Sequence, residues 1–309
     1  IFCHDNPDPD ALASALAMSE LFSSHGHSSQ IVHGGMIEHH QNQAMVKELA
    51  IPIRRIILDW EITDLIKESD IIVAVDFHRP GANNILPTDC IPHIIIDHHS
   101  VDDSVTADLA MVSSEYSSTS SMVASLLMSS DFTMNSTVAT ALAFGIKTDT
   151  LGFTRNFNAV DVRALLWINA WVDKDKLRAI EMPPRSIEAL ESFSTALNDK
   201  VQVDSLILAP VRNLTNRDSL AQIADFLLPT EGIDTVVAFG VKRGKVILSA
   251  RSNKHDLHVG KLLSTNFPGG LAGGHKSLGG GQIPLDVIAE RGTHSEQDHV
   301  EFVMDKVKT

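Results

Sequence analysis

Short apolar runs at residues 1–3, 30–33, 55–58, 71–75 and 93–96 alternate with helix-periodic stretches at 11–23, 38–49 and 61–67. Segments in that order bury their apolar sides best as a largely parallel sheet with helices on both faces. Further helical patterns at 118–128, 136–144, 159–172 and 174–181 extend the same region. Pro183-Pro184 then breaks the pattern, and 186–197 reads as one connecting helix. From about residue 200 the texture changes. Runs at 205–210, 235–241 and 245–250 are β-rich, with a turn predicted at Arg243-Gly244 and a helical segment at 218–228. A glycine-rich tract covers 269–281, and a helical pattern at 295–307 follows it. The expected fold class is α/β, with a metal-binding domain at 1–181, a linker helix at 182–199 and a smaller α/β domain at 200–309. The active site is expected in the cleft between the domains.

Composition narrows the function. A chain of 309 residues can bury two cores, and 43% hydrophobic with 21% charged residues excludes a disordered chain. No apolar run approaches the ~20 residues of a membrane span. The opening Ile1-Phe2-Cys3-His4 has no basic n-region and starts inside a strand pattern, so further native residues are expected before it. The net charge of −14, from 25 basic and 39 acidic residues, argues against a long nucleic-acid partner. It admits a short anionic substrate, because metals or a few cations dominate a pocket locally. Two cysteines, Cys3 and Cys90, without metal-like spacing suggest a reducing, cytoplasmic compartment, and the lack of a spanning apolar run leaves no membrane partner expected. The sequence does not fix the oligomeric state, a homodimer included.

The chemistry is concentrated where the strands of the first region end. Asp97-His98-His99 follows Ile94-Ile95-Ile96, Asp76 follows the run at 71–75, and His4 follows the first run. Asp8 and Asp10 flank Pro9 in an expected loop before the first helix, and Asp149 lies in the segment GIKTDTLGF. Carboxylates with imidazoles and no thiolate suit hard or borderline divalent cations. In open α/β sheets such residues converge outside the carboxyl ends of the strands. A lone Asp there is usually a turn or cap residue. Several acids buried together need cations to neutralise them. The helix N-terminus beside Asp8 and Asp10 also favours phosphate.

Read together, these segments resemble the DHH phosphoesterase superfamily, of the oligoribonuclease and adenosine-bisphosphate phosphatase kind. HDNPDPDALAS is similar to its first motif, VAVDFHRPGANN to the second, IIIDHHS to the third and GIKTDTLGF to the fourth. FPGGLAGGHKSLGGG resembles the glycine-rich His motif of the DHH-associated C-terminal domain, although Leu271-Ala272 interrupt its glycines. The resemblance implies that His4 and Asp8 ligate one metal, that Asp10, His98 and Asp149 ligate a second, and that Asp76 bridges them. It further implies that His99 contacts water or phosphate and that Asp97 orients a neighbouring His, as carboxylates near metals commonly do. Two divalent ions are implied, most often manganese, with magnesium or cobalt as alternatives. In the second domain, Arg251, Gly273, Gly274 and His275 would hold the substrate phosphate.

Other residues attract attention for blander reasons. His25, His27, His33, His39 and His40 read as surface positions, with the adjacent pair His39-His40 unable to share a helix face. Trp167 and Trp171, four apart on an expected helix, read as core. Asp102-Asp103 form a solvated turn, His255 and His258 a surface turn or helix start, and Arg79 with Asn83-Asn84 lie close enough to Asp76 to line the site. The expected reaction is hydrolysis of very short RNA, linear dinucleotides or 3′-phosphoadenosine 5′-phosphate. Competing readings are an exopolyphosphatase or inorganic pyrophosphatase, a DNA exonuclease, and a non-catalytic nucleotide-binding regulator.

Overall fold

The computed structural model describes the chain apart from residues 38, 58–61, 63, 68–69, 101–104, 155–156, 255, 268–270, 275, 286–301, 304–305 and 307–309. The expectations for His255, His275, Asp102-Asp103 and most of the 295–307 helix therefore lie outside the described residues. Contacts divide the chain into two compact units, Ile1–Pro183 and Pro184–Thr309. Among the described residues no helix is long and apolar enough to cross a membrane.

In the first unit, β1 (Ile31–His33) pairs in parallel with β2 (Ile53–Arg55), and β3 (Val73–Val75), β4 (Ile94–Asp97) and β5 (Leu109–Val112) form a second parallel set. The opening residues join the two sets. Phe2 makes parallel bridges to Val32 and Ala74, with Phe2 N donating to Val73 O (2.7 Å) and Cys3 N to Val32 O (3.0 Å). Phe2 therefore lies in mid-sheet, with β1 and β2 on one side and β3, β4 and β5 on the other, which puts a topological switch point beside it. Cys3 is wholly buried there, and burial pushes its thiol up to about 12, so it is a packing residue and not a nucleophile.

Helices α1 (Pro9–Ser24), α2 (His40–Glu48), α3 (Thr119–Met128), α4 (Ser136–Asp149), α5 (Ala159–Ile168) and α6 (Lys174–Glu181) complete the unit. Leu12, Leu16, Val123, Leu127, Leu142 and Ile146 bury one shared core against Val73, Val75 and Ile96. Phe2, Ile56, Ala74 and Ile95 bury the opposite side of the sheet. Some expected boundaries change. The strand expected at 55–58 sits earlier, at Ile53–Arg55, and the helix expected at 159–172 stops at Ile168. Trp171 is thereby left outside a helix and 41% exposed, where it meets the Trp167 ring edge-on at 5.7 Å instead of joining the core.

The second unit begins with α7 (Ile187–Asp199), which packs Phe193 and Ala196 into that unit's own core. Its six-stranded mixed sheet runs β10-β11-β9-β8-β7-β6, from β6 (Val201–Val203), β7 (Leu206–Val211), β8 (Thr235–Lys242), β9 (Lys245–Ser252), β10 (Ala272–Gly274) and β11 (Leu278–Pro284). Alternate residues serve opposite faces. Ile207, Ala209, Val236 and Ala238 pack under α7 and α8 (Asp218–Leu227), whereas Leu208, Val237, Leu248 and Ala250 pack with α9 (Val259–Asn266). The glycine-rich tract, for which the sequence announces no strand, supplies the two strands β10 and β11. Close packing of α9 on β10 depends on Gly260, because a Cβ there would fall 1.9 Å from Gly274 O.

Candidate metal centre

Each element of the first unit delivers its functional residue by a local rule. Asp8 is the N-cap of α1, its Oδ1 accepting from the amides of Asp10 and Ala11 (3.0 Å each), with Pro9 following as the first helical residue. Asp10 therefore lies in the first turn of a helix and not in the expected loop. Across the unit, Asp10 is itself gripped by another helix start. Thr119 N donates to its Oδ2 and Ser120 N to its Oδ1, both at 2.7 Å, so the N-terminus of α3 holds this fully buried carboxylate.

Asp76 leaves β3 with φ +64, a left-handed conformation that costs a non-glycine residue energy and is characteristic of functional sites. Its two oxygens face different partners. Oδ2 lies 3.7 Å from His4 Nε2, and Oδ1 lies 3.7 Å from His98 Nε2 and 3.9 Å from His99 Nδ1. Asp149 comes from the last turn of α4, which runs five residues beyond the expected end at 144, and its Oδ2 stands 3.3 Å from His98 Nε2. Asp8 Oδ1 is 3.9 Å from His4 Nε2, and Asp10 Oδ2 is 4.0 Å from His98 Nε2.

The predicted ligands gather into the sets His4–Asp8–Asp76 and Asp10–His98–Asp149, and a third set, Asp76–His98–His99, adds the residue expected at water or phosphate, with one donor atom per residue all within 4.8 Å of each other in each set. Donors at such separations can share a cation with metal–ligand bonds of about 2.0–2.2 Å. The electrostatics point the same way. Burial, followed by the charges of Asp10, Asp8 and Asp149, holds the Asp76 carboxyl well above the usual range. Burial likewise raises Asp10. At Asp8 burial is outweighed by His4 and the two helix amides, and its carboxyl is lowered. Among the described residues no lysine or arginine pairs with Asp8, Asp10 or Asp76, so divalent cations fit this carboxylate–imidazole set.

Asp97, fully buried at the end of β4, binds two imidazoles. His99 takes Oδ1 through its Nδ1 (2.7 Å) and its amide (3.1 Å), and His78 Nδ1 takes Oδ2. Burial alone would raise Asp97, but His99 and His78 outweigh it and leave the carboxyl at about 2. The same hydrogen bond raises His99.

Three contributors escaped the sequence reading. His78 stands two residues after Asp76 in the second motif, and Thr119 and Ser120 belong to the polar run at 117–121. Thr119 Oγ1 donates to Asp76 Oδ1 (2.8 Å), in addition to the two amides on Asp10. That run is tethered by Asp161, which is fully buried and accepts from Ser117 N (3.1 Å), Ser117 Oγ (2.8 Å) and Asn158 N (3.0 Å). Asp161→Ala strands these donors and is expected to cost about 3 kcal/mol in thermal or urea unfolding. A loss under about 1 kcal/mol would show that water replaces the carboxylate.

Arg79 carries an interaction, and Asn84 is a structural residue of the loop after β3, its amide donating to Arg79 O (2.8 Å) and its Oδ1 accepting from Gly81 N (3.1 Å). His33 is no surface residue. It is 3% exposed, with Nδ1 against Asp5 O. His258 caps α9, as expected for a helix start.

Of the expected substrate residues, Arg251 lies on β9 and Gly273 and Gly274 on β10, brought near one another by β11, which pairs with both strands. The Arg251 guanidinium is fixed by Asp225 Oδ1 (2.7 Å) and Ser249 Oγ (3.2 Å). Gly274 has φ +147, which only glycine adopts freely.

Comparison with known proteins gives the family of both units. The model of the DHH family N-terminal domain matches residues 1–146, and that of the DHHA1 domain matches residues 198–303. The chain is 36% identical, over 93% of its length, to an uncharacterized protein of Methanocaldococcus jannaschii, and covers 58% of that protein. It is 27% identical, over 82% of its length, to the cyclic-di-AMP phosphodiesterase GdpP of Geobacillus thermodenitrificans, and covers 40% of it. The chain thus spans about half the length of these relatives. An exopolyphosphatase-related protein from Bacteroides fragilis shares the fold, with a TM-score of 0.75 at 20% identity over 99% of this chain and 90% of that one.

Proposed function

Because the chain belongs to the DHH phosphoesterase superfamily, we propose that it hydrolyses phosphate esters in short nucleotides: oligoribonucleotides of a few residues, linear dinucleotides or 3′-phosphoadenosine 5′-phosphate. The observation that carries this reading is the division of Asp76, one oxygen toward His4 and the other toward His98. His4, Asp8 and Asp76 would hold one divalent cation, and Asp76, Asp10, His98 and Asp149 a second. Manganese suits these donors, and such ions supply Lewis acidity toward water and phosphate.

The chain's own groups do the rest. The amides of Thr119 and Ser120 hold Asp10 in orientation, and Thr119 Oγ1 fixes the rotation of Asp76. With Nδ1 committed to Asp97, His99 has Nε2 left for a phosphate oxygen or a proton, and Asp97 favours its charged form. Arg251, held rigid by Asp225 and Ser249, is the candidate cation for a terminal phosphate. A dinucleotide-sized substrate is supported by the relative named as a cyclic-di-AMP phosphodiesterase and by the acidic net charge, which disfavours a long polymer.

The test is a substrate panel with manganese, in the presence and absence of chelator. Hydrolysis of linear dinucleotides, short oligoribonucleotides or 3′-phosphoadenosine 5′-phosphate, abolished by chelator, is the expected result. Turnover confined to pyrophosphate or polyphosphate would overturn the substrate reading. Nucleotide binding without turnover of any ester would overturn the enzymatic one.

A further inference from the structure

The second unit contains a cavity of about 580 Å³ lined by Arg217, Ala221, Ile247, Ser249, Gly273, Gly280 and Gln282, with Leu271 and the backbone of neighbouring strands completing it. That size falls within the range of small-molecule sites, roughly 300–1,000 Å³. The sheet register explains why space is left there. Gly273 pairs with Gly280, and Gly280 pairs with Ser249, so three adjacent strands meet the cavity with almost no side chain. A Cβ placed on Gly273 would meet nothing within 4 Å, and one on Gly280 would touch only Leu248 O, at 3.3 Å. The floor is bare peptide, wide enough for a flat ring across strands spaced about 4.8 Å apart.

The walls are chemically mixed in the way such sites require. Ala221 and Ile247 offer apolar contact, Gln282 offers an amide donor and acceptor, and Arg217 brings a cation. Ser249 accepts from Arg251 Nη1, so the guanidinium already considered for phosphate stands at the margin of this floor. A planar heteroaromatic group bearing hydrogen-bonding edges, with an anion one sugar away, matches these features together. We propose that the cavity is a nucleobase subsite, which takes the base of one nucleotide unit while Arg251 holds that unit's phosphate. The inference rests on the short-nucleotide reading above and adds to it the group that distinguishes a nucleotide from any other phosphate.

The experiment measures binding by calorimetry on the full chain in chelator, with AMP, GMP and ribose 5-phosphate as probes. The wild type should bind at least one nucleotide about tenfold or more tightly than ribose 5-phosphate, in keeping with the several contacts a buried base makes. Ala221→Phe, which fills the cavity from α8, should erase that preference and leave ribose 5-phosphate binding unchanged. Gln282→Ala, at an exposed position safe for folding, should reduce the preference several-fold and decides the matter if Ala221→Phe does not fold. Equal affinity for nucleotide and ribose 5-phosphate, or a preference unaltered in the variants, overturns the subsite. Manganese-supported hydrolysis of bis(p-nitrophenyl) phosphate is assayed in parallel. If hydrolysis persists while base preference is absent, only the subsite fails; if hydrolysis is absent while the preference holds, only the enzymatic reading fails.

Discussion

On the two-cation reading proposed above, Asp76→Ala should lower kcat/KM by about three orders of magnitude, because several kcal/mol of electrostatic activation would depend on cations that this residue holds in common. Its Oδ2 faces His4 and its Oδ1 faces His98, so one substitution removes a donor from both principal ligand groups. Metal titration of the variant should show weakened binding at both positions, whereas Asp8→Ala or Asp149→Ala should weaken one. Activity within about tenfold of wild type, with full metal occupancy, would contradict the shared role. Stability supplies an independent readout. The folded Asp76 carboxyl is raised well above 3.8, so the metal-free protein binds this proton more tightly than the unfolded chain does. Stability linked to it is full below the unfolded value and falls as pH rises toward the folded one. Metal-free wild type should therefore unfold more easily at pH 8 than at pH 5, and Asp76→Ala should lose most of that difference.

Asp97→Asn is expected to cost about 10–100-fold in activity or metal affinity, the usual penalty for removing a carboxylate that orients groups around a metal. Both its oxygens are engaged, one by His99 and the other by His78, and an amide can serve only one of these donors as an acceptor. Acid unfolding distinguishes this role from mere packing. The carboxyl stands at about 2 in the folded protein against an ordinary 3.8, so its contribution is full above the ordinary value and is lost as pH falls toward 2. The shift corresponds to about 2 kcal/mol. The stability gap between wild type and Asp97→Asn should thus narrow by about that amount between pH 6 and pH 2. A gap that does not change with pH would show that Asp97 acts without its charge.

The candidate cluster could be read in part from the chain because Asp76 and Asp97-His98-His99 come where strands end at one sheet edge, and that edge follows from the apolar runs before them. What escaped depends on contacts distant in sequence. Thr119 and Ser120 reach Asp10 across about a hundred residues, and no periodicity announces an amide donor. The end of α4 escaped for a local reason. Lys147-Thr148-Asp149 lacks apolar spacing, yet the Thr148 and Thr150 hydroxyls bond back to Phe144 O and Ile146 O and accompany the helix to Asp149. Strand β5 is a short strand with Leu109 half exposed, which weakens the alternation that would identify it. In β10 and β11, ladder pairing through backbone groups substitutes for side-chain propensity, and glycine content conceals two strands.

The left-handed backbone at Asp76 places the interests of the fold and of the chemistry in opposition. Glycine would relieve that conformation, and it neighbours aspartate in the genetic code. If Asp76 is the shared ligand proposed above, Asp76→Gly would relieve the backbone while removing the carboxylate, so the variant would keep its fold and lose its chemistry, a separation of the two that a bulkier substitution at this φ could not give.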